Sequence, residues 1–357
     1  MLNVYVHGSF MYDNFGDYLL FAKVRNEIKK CDNSINVYSA NISPFYNEFV
    51  DYKPLKRKED IKCIDCAILA GGGYFGEPKQ YRLYWNIRML FRHARVAYKF
   101  IKRKIPYSII GVGVGPLSYK FSQKIVKKIF DNAKIISVRD AESREYLRKY
   151  GVKKKIEVVP DWVMACGYDE IIKDEYKDIR EEYKNKILIH LASKNKGKDS
   201  PIEIIIQDIR KLAKEYGKQF LIITDQADSS NSQIERAKQL KDKLKDIHVD
   251  LYEYHNPYEL IKIIQSAECV LTDKLHVGIV ATRLGVPAFS VAGQVKIHRF
   301  YKQIGREEFC IPIQNVKKGY VFQWIIEHGT EAVKIDKVVE SAQMNINLLH
   351  DFLYKYL

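Results

Sequence analysis

The chain has 357 residues, 46% of them hydrophobic and 29% charged, with a formal net charge of +15; this is longer than one hydrophobic core usually serves, so two domains are expected. No apolar run approaches the roughly 20 residues that span a bilayer, and the opening MLNVYVHGS lacks the basic start and apolar stretch of a secretory signal, so a cytoplasmic protein is expected. Of six cysteines only Cys63 and Cys66 have the two-residue gap of a zinc or redox pair, no second pair answers them, and ordinary packing in a reducing compartment is the reading.

In chain order, short β-branched or aromatic runs alternate with helical patterns, the signature of a parallel sheet with crossover helices. Strands are expected at Asn3–His7, Ile35–Ser39, Cys66–Ala70, Tyr107–Val112, Ile135–Val138 and Ile156–Val159, with helices at Tyr18–Lys29, Asn86–Lys102 and Ser122–Asn132. A second series has strands at Ile187–Leu191, Gln219–Thr224, Val249–Tyr254, Cys269–Thr272 and Ala288–Val291, with helices at Pro201–Tyr216, Ser230–Lys245 and Pro257–Ala267. The charged stretch Tyr168–Lys186 reads as a linker, and Ile335–Leu357 as a last helix that needs a surface to cover. The expected class is α/β: two Rossmann-like domains, 1–167 and 187–334, facing across a cleft, with 335–357 returning to the first.

Ligands of doubly wound sheets bind beyond the carboxyl ends of the strands. The first strand leads through SFMYDNFGD into a helix, so Asn14, Gly16 and Asp17 lie in a strand-to-helix loop. There Asp17 is either a helix cap or a catalytic carboxylate. The third strand ends in Gly71-Gly72-Gly73, followed by Tyr74 and Phe75 as faces for a sugar or lipid. The fourth runs into GVGVGP with Gly113 and Gly115. Neither loop is a Walker loop or a dinucleotide fingerprint. In the second series a strand ends at Thr272-Asp273 and Lys274-Leu275-His276 opens a helix. A cation and an imidazole at a helix start suit a carboxylate or phosphate, with His276 able to exchange a proton; the alternative is an exposed lysine and a packed histidine.

From Pro78 to Phe130 there are thirteen Lys or Arg and no Asp or Glu. Within it, 86–104 interleaves Arg88, Arg92, Arg95 and Lys99 with apolar residues, as in a helix lying on an anionic membrane surface. A packed, solvated helix explains the apolar side but not the missing acids. Nucleic acid ranks last and is not expected as a partner.

The ordered set Gly8, Asn14, Gly16, Asp17; GGG; GVGVGP; SVRDAESREYLRKYGV with VVPDWV; and Leu275-His276, Ala281, Gly285-Val286-Pro287 with Lys296 beyond resembles the polysaccharide pyruvyltransferase family, from Gly8 to about Gly305. The resemblance implies a glycosyltransferase-B-like fold, phosphoenolpyruvate as donor and co-substrate, and a pyruvate ketal on a sugar of a cell-surface polysaccharide precursor as product. No metal or redox cofactor is expected. It further implies that Arg139 and Asp140 belong to a strand-end motif and that Leu275-His276 sits at the donor site. Candidate roles follow: His276 as acid, Lys274 and Lys194 as anion clamps, Lys296 with Leu275 as further donor-binding residues, Asp17 for the acceptor hydroxyl. Two departures stand out. Lys274 and Lys194 lie where the family carries arginine, which keeps charge but loses the planar fork. A nucleotide-sugar glycosyltransferase of the same architecture, and a non-catalytic membrane-peripheral assembly partner, remain the alternatives. The expected placement is peripheral to the inner face of the cell membrane, with a lipid-linked or polymeric sugar as acceptor.

Overall fold

The computed structural model describes residues 1–40, 42–55, 60–167, 178–192, 200–227 and 232–357. It divides into two units: unit 1 comprises Met1–Asp13, Asp17–Ala165 and Lys337–Leu357, and unit 2 comprises Asn14–Gly16 and Cys166–Asp336.

Unit 1 carries strands β1 (Asn3–His7), β2 (Asn36–Ser39), β3 (Lys53–Pro54), β4 (Cys66–Ala70), β5 (Tyr107–Val112), β6 (Ile136–Val138) and β7 (Glu157–Val158). They form one parallel sheet in the order β3-β2-β1-β4-β5-β6-β7. Every residue of β4 and β5 is buried, as a parallel strand covered on both faces requires, and this is why these strands read as unbroken apolar runs. The thiol of Cys66 is pushed up to about 12 by burial, with Asp65 adding to it, which fits a packing role.

The helices are α1 (Phe15–Cys31), α2 (Arg82–Met89), α3 (Arg95–Arg103), α4 (Lys120–Asn132) and α5 (Ala141–Lys149). The single helix expected at Asn86–Lys102 starts four residues earlier, and α2 and α3 are joined by a π turn at Leu90–Ala94. The extra residue in that turn shifts the helical register between α2 and α3, which a single continuous helix over 86–102 does not allow for.

Unit 2 holds β8 (Ile187–His190), β9 (Phe220–Ile223), β10 (Val249–Tyr252), β11 (Cys269–Thr272), β12 (Ala288–Ala292) and β13 (Cys310–Pro312), with α6 (Pro201–Tyr216), α7 (Ser232–Lys243), α8 (Pro257–Gln265), α9 (Leu275–Arg283), α10 (Val295–Gln303) and α11 (Tyr320–His328). The sheet is again parallel, ordered β10-β9-β8-β11-β12-β13. Local chemistry sets the ends of α6. Ser200 caps it by accepting the Glu203 amide, Pro201 opens it, and Gly217 closes it at φ 62. Its buried Asp208 accepts the amides of Gly319, Val321 and Phe322 at 2.9, 3.1 and 3.3 Å, satisfying free donors at the start of α11.

The last segment is two helices, α12 (Asp336–Ala342) and α13 (Met344–Leu353), instead of one. Within unit 1, Asn345 is fully buried; it accepts from Ser137 Oγ at 3.1 Å and donates to Pro160 O at 2.8 Å. Leu349, Phe352 and Leu353 are buried beside it. No helix among the described residues is long and apolar enough to cross a membrane.

Candidate functional site

In unit 2 the strand order reverses between β8 and β11, the switch point beyond which ligands of such sheets bind. His190 ends β8 and is 1% exposed. Its Nδ1 lies 3.3 Å from Thr272 Oγ1 and its Nε2 3.4 Å from Asp225 Oδ1. Asp225, two residues past β9, also accepts from Gln233 Nε2 at 2.7 Å and has the Lys274 ammonium 4.0 Å away. Burial alone would raise the Asp225 carboxyl; the charges of Lys274 and His190 and the hydrogen bonds of His190 and Gln233 overcome it and hold the group far below the usual carboxylate range. Asp273 accepts the Ala192 amide at 2.9 Å, which fixes the end of β8 to the end of β11.

Lys274 occupies the cap position of α9 without a side-chain cap bond. The first amides of α9 and the Lys274 ammonium therefore add positive potential at one place. His276 sits in the first turn of α9, and Gly16 packs on its ring: a Cβ at Gly16 would lie 1.9 Å from His276 Nδ1 and 2.2 Å from Cγ. Glycine is required there by this approach. The same short stretch is held by Phe15 N donating to Asp225 O at 2.8 Å and by Gly16 N donating to Asn14 Oδ1 at 3.1 Å.

The other expected site residues fall out as follows. Asn14 precedes α1 and accepts the Gly16 amide, and Asp17 lies inside the first turn of that helix, in unit 1. The Leu275 side chain is buried, so only its backbone amide is available at the helix start. Lys296 is exposed in the first turn of α10. Lys194 lies outside the described residues.

In unit 1, Tyr74, expected to present its ring to a ligand, is 7% exposed, and Phe75 is fully buried. Tyr74 stacks on His93 with centroids 4.3 Å apart, and Phe75 packs edge-on against Phe130. Both rings are core residues because the chain turns inward through Gly71 and Gly72, which have positive φ, to Gly73. Gly113 faces Arg139, whose Nε a Cβ would meet at 2.7 Å, and Gly115 packs against the Gly76 backbone. Arg139 is buried with Asp140 at 3.7 Å and Asp161 at 3.6 Å. Asp140 also caps α5 through the Ser143 amide at 2.7 Å. This strand-end motif is thus a buried ion-pair cluster.

Of the four cations assigned to a membrane, Arg88 and Arg92 turn to the Tyr12 hydroxyl. Partial burial raises the Tyr12 phenol, but these two arginines outweigh it and hold it below its usual value. Arg95 is exposed and Lys99 half-buried.

Sequence reading passed over His190 and Asp225, and also a buried pair at the end of β1, where His7 Nε2 lies 3.0 Å from His93 Nδ1. Burial lowers both rings, His7 to about 4 and His93 well below its usual value, with repulsion from His7, Arg92 and Arg88 contributing to His93. Among the described residues there is no group of three or more His, Cys, Asp or Glu arranged to hold a metal.

No curated protein matches this sequence. The fold is similar over nearly its whole length to several solved structures. The UDP-GlcNAc 2-epimerase of Methanocaldococcus jannaschii gives a TM-score of 0.68 at 12% identity, covering 99% of this chain and 100% of that one. The Neisseria meningitidis UDP-GlcNAc 2-epimerase bound to UDP-GlcNAc gives 0.64 at 14% identity, covering 99% and 100%. The Anabaena HepE protein in complex with UDP and glucose gives 0.60 at 10% identity, covering 100% and 99%. These likenesses show the fold, two Rossmann-type units of the glycosyltransferase-B kind. The sequence model of the polysaccharide pyruvyl transferases matches residues 14–294, a span that takes in His190, Asp225, Lys274 and His276, and the chain belongs to that family.

Proposed function

We propose that this chain transfers pyruvate from phosphoenolpyruvate to a sugar of a cell-surface polysaccharide precursor, forming a pyruvate ketal. The observation that carries the reading is the family match over residues 14–294. The start of α9 suits the donor: Lys274 and the partial positive charge of the helix start favour a phosphate or carboxylate, and His276 lies within the same helical turn. The chemistry balances without an outside oxidant or reductant. A proton adds to the methylene carbon of the donor as one sugar hydroxyl oxygen bonds to its central carbon; that hydroxyl's own proton replaces the one used. The C–O bond to phosphate then breaks while a second hydroxyl oxygen bonds to the same carbon, and its proton leaves with phosphate. His276 is the group assigned to deliver and recover the first proton. The acceptor is a lipid-linked or polymeric sugar met at the anionic inner face of the cell membrane.

A second reading is a nucleotide-sugar enzyme using the same helix start for a diphosphate. The structural likenesses support it more than they support ketal formation, since the Neisseria meningitidis and Anabaena proteins are held with UDP-GlcNAc and with UDP and glucose. One experiment separates the two. Purified protein is incubated with lipid-linked sugars and either phosphoenolpyruvate or UDP-sugars, and products are read by mass. Phosphate release with pyruvyl mass gain supports the first reading; UDP release, or epimerised UDP-sugar, replaces it with the second.

A further inference from the structure

The helix α2 and the turn before it expose a row of large apolar side chains. Tyr81 is 78% exposed, Phe91 67%, Leu83 and Tyr84 58% each, and Ile87 45%. Leu83, Ile87 and Phe91 follow at four-residue spacing, one stripe of the helix running into the π turn, while Asn86, Met89 and His93 form the buried stripe on the other side. A helix facing only water would carry polar groups in the outer stripe. The charged residues beside it have one sign. Lys79, Arg82 and Arg95 are exposed, and no Asp or Glu occurs between Pro78 and Phe130.

The nearest acid before this stretch, Glu77, is 8% exposed and used internally. It accepts from Asn86 Nδ2 of α2 and, at 2.9 Å, from the Ser118 amide. The same carboxylate thereby anchors the segment containing exposed Tyr119 and Phe121 next to α2, and Arg82 Nη1 lies 3.5 Å from Ser118 Oγ. Two aromatic, cationic segments are held side by side, and the stretch 78–130 that carries both contains no Asp or Glu.

We propose that this surface, Tyr81–Phe91 with Tyr119 and Phe121, docks the chain on a bilayer containing anionic lipid, its apolar side chains entering the headgroup and upper acyl region. The charge pattern decides the occupant. A second copy meeting this face by two-fold symmetry would set cations against cations with no acid to offset them, and the aliphatic stripe of Leu83 and Ile87 has nothing to stack on in a nucleic acid. A bilayer with anionic headgroups satisfies both halves of the surface. The membrane-anchoring elements are therefore α2 and its flanks. Arg88 lies within α2 and Arg92 just beyond it, both bonded to the exposed Tyr12 hydroxyl. The inference rests on the peripheral-membrane part of the proposed function and not on the donor.

The protein supplies its own probe. Of its three tryptophans, Trp162 and Trp324 are 0% and 6% exposed, whereas Trp85 is 37% exposed and lies in the patch. With vesicles of phosphatidylcholine and phosphatidylglycerol at low salt, Trp85 emission shifts to the blue and is quenched by lipids brominated near the headgroup; added salt reverses both. Leu83→Ser with Phe91→Ser lowers the partition coefficient at least about tenfold. Arg82→Gln with Arg95→Gln lowers it by about 25-fold on anionic vesicles, each such cation contributing a factor of about five. Wild-type protein that ignores these vesicles, or binds them without Trp85 quenching, overturns the proposal even if the variants fail to fold. So does concentration-dependent dimerisation abolished by the serine pair, or displacement from vesicles by an oligonucleotide that quenches Trp85 itself. Donor binding in vesicle-free solution is measured alongside; its loss would count against the proposed reaction and leave the docking surface standing.

Discussion

Replacing Gly16 by alanine tests whether His276 is held by close backbone approach. An added Cβ would lie 1.9 Å from His276 Nδ1, 2.2 Å from Cγ and 2.7 Å from Cβ. Non-bonded carbons settle at about 3.5–4.0 Å, so the ring must withdraw by roughly 1.5 Å, and the short distance to Cβ means that rotating the ring is not enough. Overpacking of this kind costs about 1–3 kcal/mol. Alanine's better helix propensity at the start of α1 returns at most about 1 kcal/mol, leaving a net change from near zero to a loss of about 3 kcal/mol in urea unfolding. The partner variant is His276→Gly, which removes all three contacts. In that background Gly16→Ala is neutral or slightly stabilising, so the double-mutant cycle yields a coupling of about 1–3 kcal/mol. A coupling below about 0.5 kcal/mol would refute the packing argument without any knowledge of the substrate. Turnover of Gly16→Ala falls by about a hundredfold if His276 transfers the proton, because a displacement near 1 Å suffices for a loss of that size.

Arg139→Ala leaves Asp140 and Asp161 buried without their shared cation and should destabilise unit 1 by about 3–5 kcal/mol in urea; a loss under 1 kcal/mol would show that the cluster is not an ion pair in solution. Stability should also fall in mild acid. Burial lowers the His7 pKa from 6.5 to about 4, so the unfolded state takes up the proton first. The native state is undiminished above about pH 6.5 and loses stability as pH falls towards 4, by about 1.4 kcal/mol per unit. In His7→Gln that slope is reduced, and an unchanged slope would place the acid sensitivity elsewhere. Lys274→Ala weakens donor binding about tenfold or more while Lys274→Arg retains it, because charge at the start of α9 is the shared requirement; calorimetry showing both equally poor rejects the clamp.

Strands buried on both faces were legible because that burial writes apolar runs, CAILA and YSIIGV in unit 1 and CVLT in unit 2. Helix α6 was legible from both ends, through Ser200-Pro201 and Gly217. The strand β13, three residues ending in proline, carries too little pattern to stand out. His190 reads as one more residue of an ILIH strand, since its partners Asp225 and Thr272 are brought to it by the strand order alone. Tyr74 shows the opposite error. An aromatic following three glycines looks available to a ligand, yet those glycines let the chain turn its ring onto His93.

The hold that Asn345 takes on Ser137 and Pro160 bears on how the molecule is made. Unit 1 includes Lys337–Leu357, so all of unit 2 after its first three residues is translated before the helix that completes unit 1. On a ribosome, where earlier segments fold first, the first sheet has all its strands by Val158 but receives its last covering helix only after unit 2. Until α13 emerges, the floor formed by Trp162, Ile110 and the Ser137 strand lacks its cover, and a chaperone binding nascent chains has its longest opportunity there.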